Sequence, residues 1–204
     1  LWMLGTVAEC GLLDLSFIEK SDFISALQLF FEYGPSDINP SSTQALWCVL
    51  NIISHSRDVS LLLFTDNKLR LCEVLPRYYI KISLNYHEII QEQTTTKESS
   101  NYSDCLTQVI SCLWVICGFS TLTLPFAQCI LHIFSHLLCL IYTCYRDVSS
   151  APLSAAMEGI SYLFFWFVGN NQELSFCSIF QPVHFNLMFL LCKPSFVYLS
   201  PQMT

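Results

Sequence analysis

The chain has 204 residues and 53% of them are apolar, enough for one continuous core, so disorder is excluded as its global state. Its six glycines are few for a sandwich or barrel, which needs many tight turns, and composition therefore favours helices. The net charge of −7, with nine scattered Lys and Arg, leaves no basic footprint for a phosphate backbone; it excludes nucleic acid as a partner and favours basic ones.

The chain opens inside an apolar run, Leu1-Trp-Met-Leu-Gly-Thr-Val-Ala, as a fragment of a longer protein would. Phe23, Ile24, Leu27, Leu29, Phe30 and Phe31 crowd one helical face before Gly34-Pro35 stops the helix. Pro40-Ser-Ser-Thr opens the next, with Ser42 or Thr43 as its N-cap, and it continues through Ala45-Leu-Trp-Cys-Val-Leu-Asn-Ile. Residues 58–64 predict a short helix closed by Asp66-Asn67, and Lys68 to Gln91 a longer one broken at Pro76. Residues 91–103 are polar without apolar periodicity, the pattern of an inserted loop. Cys112-Leu-Trp-Val-Ile-Cys-Gly-Phe lies on a further helix, and Ser149 to Val168, with Ile160-Ser-Tyr-Leu-Phe-Phe-Trp-Phe, forms another. Past Asn170 the chain stays apolar but is punctuated by Pro182, Pro194 and Pro201.

No charged residue occurs from Cys105 to Tyr145, a run long enough for two membrane spans turning near Thr121 to Pro125. Against spanning, the run carries Gln108, Ser111, Gln128, His132, Ser135 and His136, and no basic cluster flanks it to set an orientation. Inner helices of a repeat stack are also apolar all round, since neighbours cover both sides. The expectation is a buried pair of helices, with a membrane hairpin over 105–145 as the alternative.

The 11 cysteines include no C-x-x-C pair, and Cys48, Cys112, Cys117, Cys139 and Cys144 sit among Leu, Ile and Val as small core residues. They predict a reducing compartment rather than a disulfide framework. Cys129, His132, His136 and Cys139 share one helical face, but four ligands on one straight helix cannot surround a tetrahedral ion, and a buried seam has the same spacing. The expectation is therefore no metal and no cofactor. None of the glycine-rich phosphate loops or nucleophile elbows occurs, and no recurrent carboxylate pairing supports acid–base work, so the chain reads as a non-enzyme.

Four of the segments quoted above are alike, anchored at Trp2, Trp47, Trp114 and Tyr162 at intervals of 45, 67 and 48 residues. The outer two intervals approach the length of armadillo or HEAT units, and removing the 91–103 loop brings the middle one close. Trp47 and Asn51, one helical turn apart, resemble the groove-lining pair on the third helices of importin-α armadillo repeats. Beside Trp2, Trp114 and Tyr162 the Asn position holds Thr6, Gly118 and Trp166. The resemblance implies an all-α, right-handed superhelical solenoid of about four repeats over residues 1–171, with 172–204 as a helical tail or partial cap. It implies a non-enzymatic scaffold for nuclear protein import, cytoplasmic and nuclear. Trp47, Asn51, Trp2 and Trp114 would hold an extended basic peptide of protein cargo, the indoles covering lysine stems and Asn51 bonding the peptide backbone. An importin-β-like carrier would join through a region N-terminal to this sequence. The departures at the other three Asn positions imply a helical-repeat scaffold without import cargo as a further alternative.

Overall fold

The computed structural model describes residues 2–10, 22–33, 40–55, 71–92, 96–118, 122–143 and 150–191. These form nine helices and no strand: α1 (Trp2–Glu9), α2 (Phe23–Tyr33), α3 (Pro40–His55), α4 (Leu71–Glu92), α5 (Thr96–Cys117), α6 (Leu124–Thr143), α7 (Ser150–Gly169), α8 (Glu173–Ile179) and α9 (Pro182–Leu191). The chain is all-α, as composition and periodicity predict. The short helix expected over 58–64 lies outside the described residues.

The helices lie in two rows. In the first, α1 packs on α3, α3 on α5 and α5 on α7. In the second, α4 packs on α6, and α6 on both α8 and α9. The ring of Phe31 meets Tyr78 edge-on at 5.5 Å and brings α2 to the α4 side. The rows join where α4 meets α5 and α6 meets α7. The four similar segments therefore occupy α1, α3, α5 and α7, successive neighbours of a single row.

The core runs along the seam between the rows, through Leu46, Val49, Ile52, Leu75, Ile82, Val109, Leu113, Ile130, Phe134, Leu163 and Phe167. Among the described residues its two buried serines are satisfied locally. Ser135 donates to the Leu131 carbonyl at 2.8 Å, and Ser42 meets Tyr78 across the α3–α4 contact. The Cys112 thiol donates weakly to the Leu46 carbonyl at 3.7 Å, tying α5 to α3. At Gly159 a Cβ would collide with the Phe134 ring, so the missing side chain is what lets α7 close on α6.

Several local readings change. The polar stretch at 91–103 is not a loop over most of its length: α4 continues through Glu92 and α5 begins at Thr96. Apolar periodicity marks burial against a neighbour, and backbone bonds can carry a helix through a polar stretch where that signal is silent. Helix α3 starts at Pro40, whose missing N–H is harmless in a first turn, so Ser42 and Thr43 lie inside the helix rather than capping it. Pro76 does not break α4, which runs through it. Among the described side chains of α2, Leu27 and Phe31 are buried, while Leu29 faces out.

Helix α7 ends at Asn171, which stands at φ 55°. The Asn171 N–H bonds the Val168 carbonyl at 3.1 Å, and the Gln172 N–H bonds the Phe167 carbonyl at 2.8 Å. This is a Schellman closure with Asn in the left-handed position usually filled by glycine. It turns the chain sharply enough for α8 and α9 to fold back onto α6 through Phe176, Phe180 and Leu187.

Candidate binding groove between α3 and α5

Helices α3 and α5 present residues one turn apart to a shared surface groove of about 320 Å³. Thr43, Gln44 and Trp47 form one wall; Asp104, Thr107 and Gln108 form the other. Asp104, Thr107 and Gln108 follow the i, i+3, i+4 spacing that puts side chains on one helical face, and Trp47 lies three and four positions after Gln44 and Thr43. The half-buried Trp47 supplies the aromatic surface, and the exposed Asp104 is the charge in the lining among the described residues. The Gln108 Oε1 atom is buried with no hydrogen-bond partner. The groups in this lining that a cation could meet are the Trp47 indole and the Asp104 carboxylate; Gln108 Oε1 is enclosed behind them.

Trp47 has a second task. The six-membered ring of its indole lies against Gly5, where a Cβ would collide with it, and this seats α1 on α3. Asn51, one turn further along α3, directs its Nδ2 toward the Gly5 carbonyl at 3.5 Å, so its amide faces α1 rather than the groove. Trp114 lies on α5 outside the groove lining, half-buried, with its Nε1 covered and unpartnered. Trp2 belongs to α1, and its side chain lies outside the described residues. Of the expected peptide-binding residues whose side chains are described, Trp47 lines the groove, and Asn51 and Trp114 do not.

Sequence reading missed the opposite wall. Asp104 is the last charge before the 41 uncharged residues, and Thr107 and Gln108 follow it by one turn, so the spacing was visible. What was hidden is that this face meets Trp47 across a gap of 60 residues.

The cysteines near this region are packing groups. Burial pushes the Cys48 thiol up to about 11, and pushes Cys105 up to about 12 against smaller opposing effects of the Thr43 hydroxyl and Lys81. Cys112 and Cys117 are raised further for the same reason. On α6, the Nδ1 of His136 lies 2.7 Å from the Tyr79 hydroxyl of α4, while His132 faces out. Among the described residues no three His, Cys, Asp or Glu are grouped to hold a metal ion.

Comparison with protein-family models, with curated proteins and with solved structures returns no match to this chain.

Proposed function

We propose that the chain is a non-enzymatic helical-repeat scaffold of the armadillo or HEAT kind, which holds an extended basic segment of a protein partner across the α3–α5 groove. The observation that carries this reading is the pairing of Trp47 with Asp104 on neighbouring helices of a row built from similar segments. A row of like helices offers side chains at regular intervals, which suits an extended chain better than a helix. The cation of a Lys or Arg would lie between the indole and the Asp104 carboxylate, donating to that carboxylate. Nuclear import of such a partner is the process that the importin-α resemblance implies, and the amide of Asn51 would have to leave Gly5 to take a peptide backbone.

Fluorescence-anisotropy titration of a lysine-rich nuclear-localisation peptide tests the reading. Wild type should bind saturably, Asp104→Asn about fivefold more weakly, and Trp47→Ala weaker still. Asp104 is exposed, so its loss leaves the fold intact and isolates the charge. Equal binding of a peptide with every Lys replaced by Glu would sink the proposal.

A membrane protein is the second reading, favoured by the presence of two helices long and apolar enough to span, Leu124–Thr143 and Ala151–Gly169. The hairpin would then be α6–α7, since the apolar part of α5, Ser103–Cys117, is shorter than a span. The covered share of α6 speaks for a core helix: it buries its Leu, Ile and Phe residues and leaves His132 and His136 outside. A lipid-facing helix would show the opposite arrangement.

A further inference from the structure

The exposed large apolar side chains are concentrated at the α7–α9 end of the molecule. Phe165 is 71% exposed, Leu174 87% and Phe189 66%, and Tyr162, Val183 and Phe185 are exposed beside them. Tyr162, Phe165 and Val168 fall on one face of α7, and Pro182, Phe185 and Phe189 on one face of α9. A chain of rings joins the two helices beneath. Phe164 meets Phe176 at 5.3 Å, Phe176 meets Phe180 at 5.5 Å, and Phe180 meets Phe185 at 4.8 Å. The exposed aromatics therefore stand on a continuous, rigid base rather than on separate mobile side chains.

Three observations point to what covers this end. The Ala151–Gly169 stretch of α7 has the length and hydropathy of a span, yet only 33% of it is covered by protein, against 61% for α6. Helices α8 and α9 together pass the same test but are bent by 68° at the break between them, so they form no straight span. Between Gly159 and Cys192 the sequence holds one charged residue, Glu173, and no Lys or Arg. Hydrocarbon selects for apolar length in this way, whereas a protein partner does not require it. The polar start of α7's outer face, at Ser154 and Glu158, confines the contact to the later turns of the helix.

We infer that the α7–α9 end docks on a neutral lipid bilayer, with Phe165, Leu174 and Phe189 entering the boundary between headgroups and acyl chains. The contact is peripheral and apolar. With Glu173 and no Lys or Arg among the described residues of this end, zwitterionic phosphatidylcholine suits it and anionic lipid does not, since choline supplies a counter-ion for Glu173. This docking is independent of the peptide groove, which lies between α3 and α5.

Flotation with phosphatidylcholine vesicles tests it. Wild type should rise with the vesicles equally at low and high salt, and less with vesicles rich in phosphatidylserine. Phe165→Ser with Phe189→Ser should cut the bound fraction by about tenfold or more. Both side chains are exposed, so the double variant keeps its fold, which an unchanged peptide titration would register separately. Wild type remaining at the bottom of the gradient overturns the inference, as does equal flotation of the double variant. So does a dimer in vesicle-free sedimentation that this variant dissociates, because the face would then belong to a second copy of the chain.

Discussion

Trp47 and Phe134 show the same device at two points in the chain, a large ring seated on a glycine of the neighbouring helix. Gly5 receives Trp47 and Gly159 receives Phe134. Neither glycine is needed for backbone freedom, since each lies inside a helix; each is needed for its lack of a side chain. Gly159→Ala should therefore destabilise the protein by about 1–3 kcal/mol through overpacking, in spite of alanine's better helix propensity. Gly169→Ala is the control, because nothing stands within 4 Å of a Cβ built there. Urea midpoints should fall for the first and hold or rise for the second; equal midpoints would mean that Phe134 moves aside at no cost. The residue scale is also where the sequence was least legible. The W-x-x-x-N spacing placed Trp47 and Asn51 one turn apart on α3 but could not say that the amide turns to the Gly5 carbonyl. Helical periodicity fixes which residues share a face, and which neighbour covers that face depends on contacts between residues far apart in the chain.

The α7–α8 turn is the clearest case of one residue setting the course of an element. A non-glycine residue at φ 55° carries a steric cost, moderated in Asn171 by its short polar side chain. Asn171→Gly should raise the thermal midpoint slightly, and Asn171→Val should lower stability by about 1–2 kcal/mol by putting a β-branched side chain in the left-handed region. Thermal melts followed by circular dichroism would read both, and a neutral Val variant would show that the turn can close by another route. At this scale the sequence was more legible. The stop of α2 before Gly34, the span of α7 and the break ahead of α6 followed from periodicity and from proline and glycine. The start of α5 did not, because Thr96 to Ser103 carries none of the apolar spacing by which a buried helix is recognised.

Across the whole molecule, the apolar neighbours of Cys48, Cys112 and Cys117 correctly placed these thiols in the core, whereas Cys139 is half-buried at its edge and Cys144 lies outside the described residues. Their burial makes the core itself sensitive to alkali. Folded Cys48 titrates near 11 and Cys105 near 12, above an ordinary value of 9.0, so the folded chain keeps protons that the unfolded chain gives up. The sign follows directly: the contribution is complete below pH 9 and is lost as pH rises from there toward the folded values, at about 1.4 kcal/mol per thiol for each pH unit. Urea midpoints should hold up to about pH 9 and drop steeply between about pH 9 and pH 11. In native protein at the lower pH, iodoacetamide should label the exposed Cys10 and Cys177 and spare the four buried thiols. Labelling of Cys112 before unfolding, read by peptide mass, would contradict the burial on which the pH argument stands.

The order of the first row, in which α1 meets α3, α3 meets α5 and α5 meets α7, also fixes how the molecule can move. Each helix of this row packs on its successor, but α4 braces α5 and α6 braces α7 from the second row, so the groove lies at a joint that is held from behind. A side chain wedged between α3 and α5 would load the α4–α5 contact together with its own. Occupancy of the groove would then be read as a change in spacing between α3 and α5, and the braced far end of the row would keep its place.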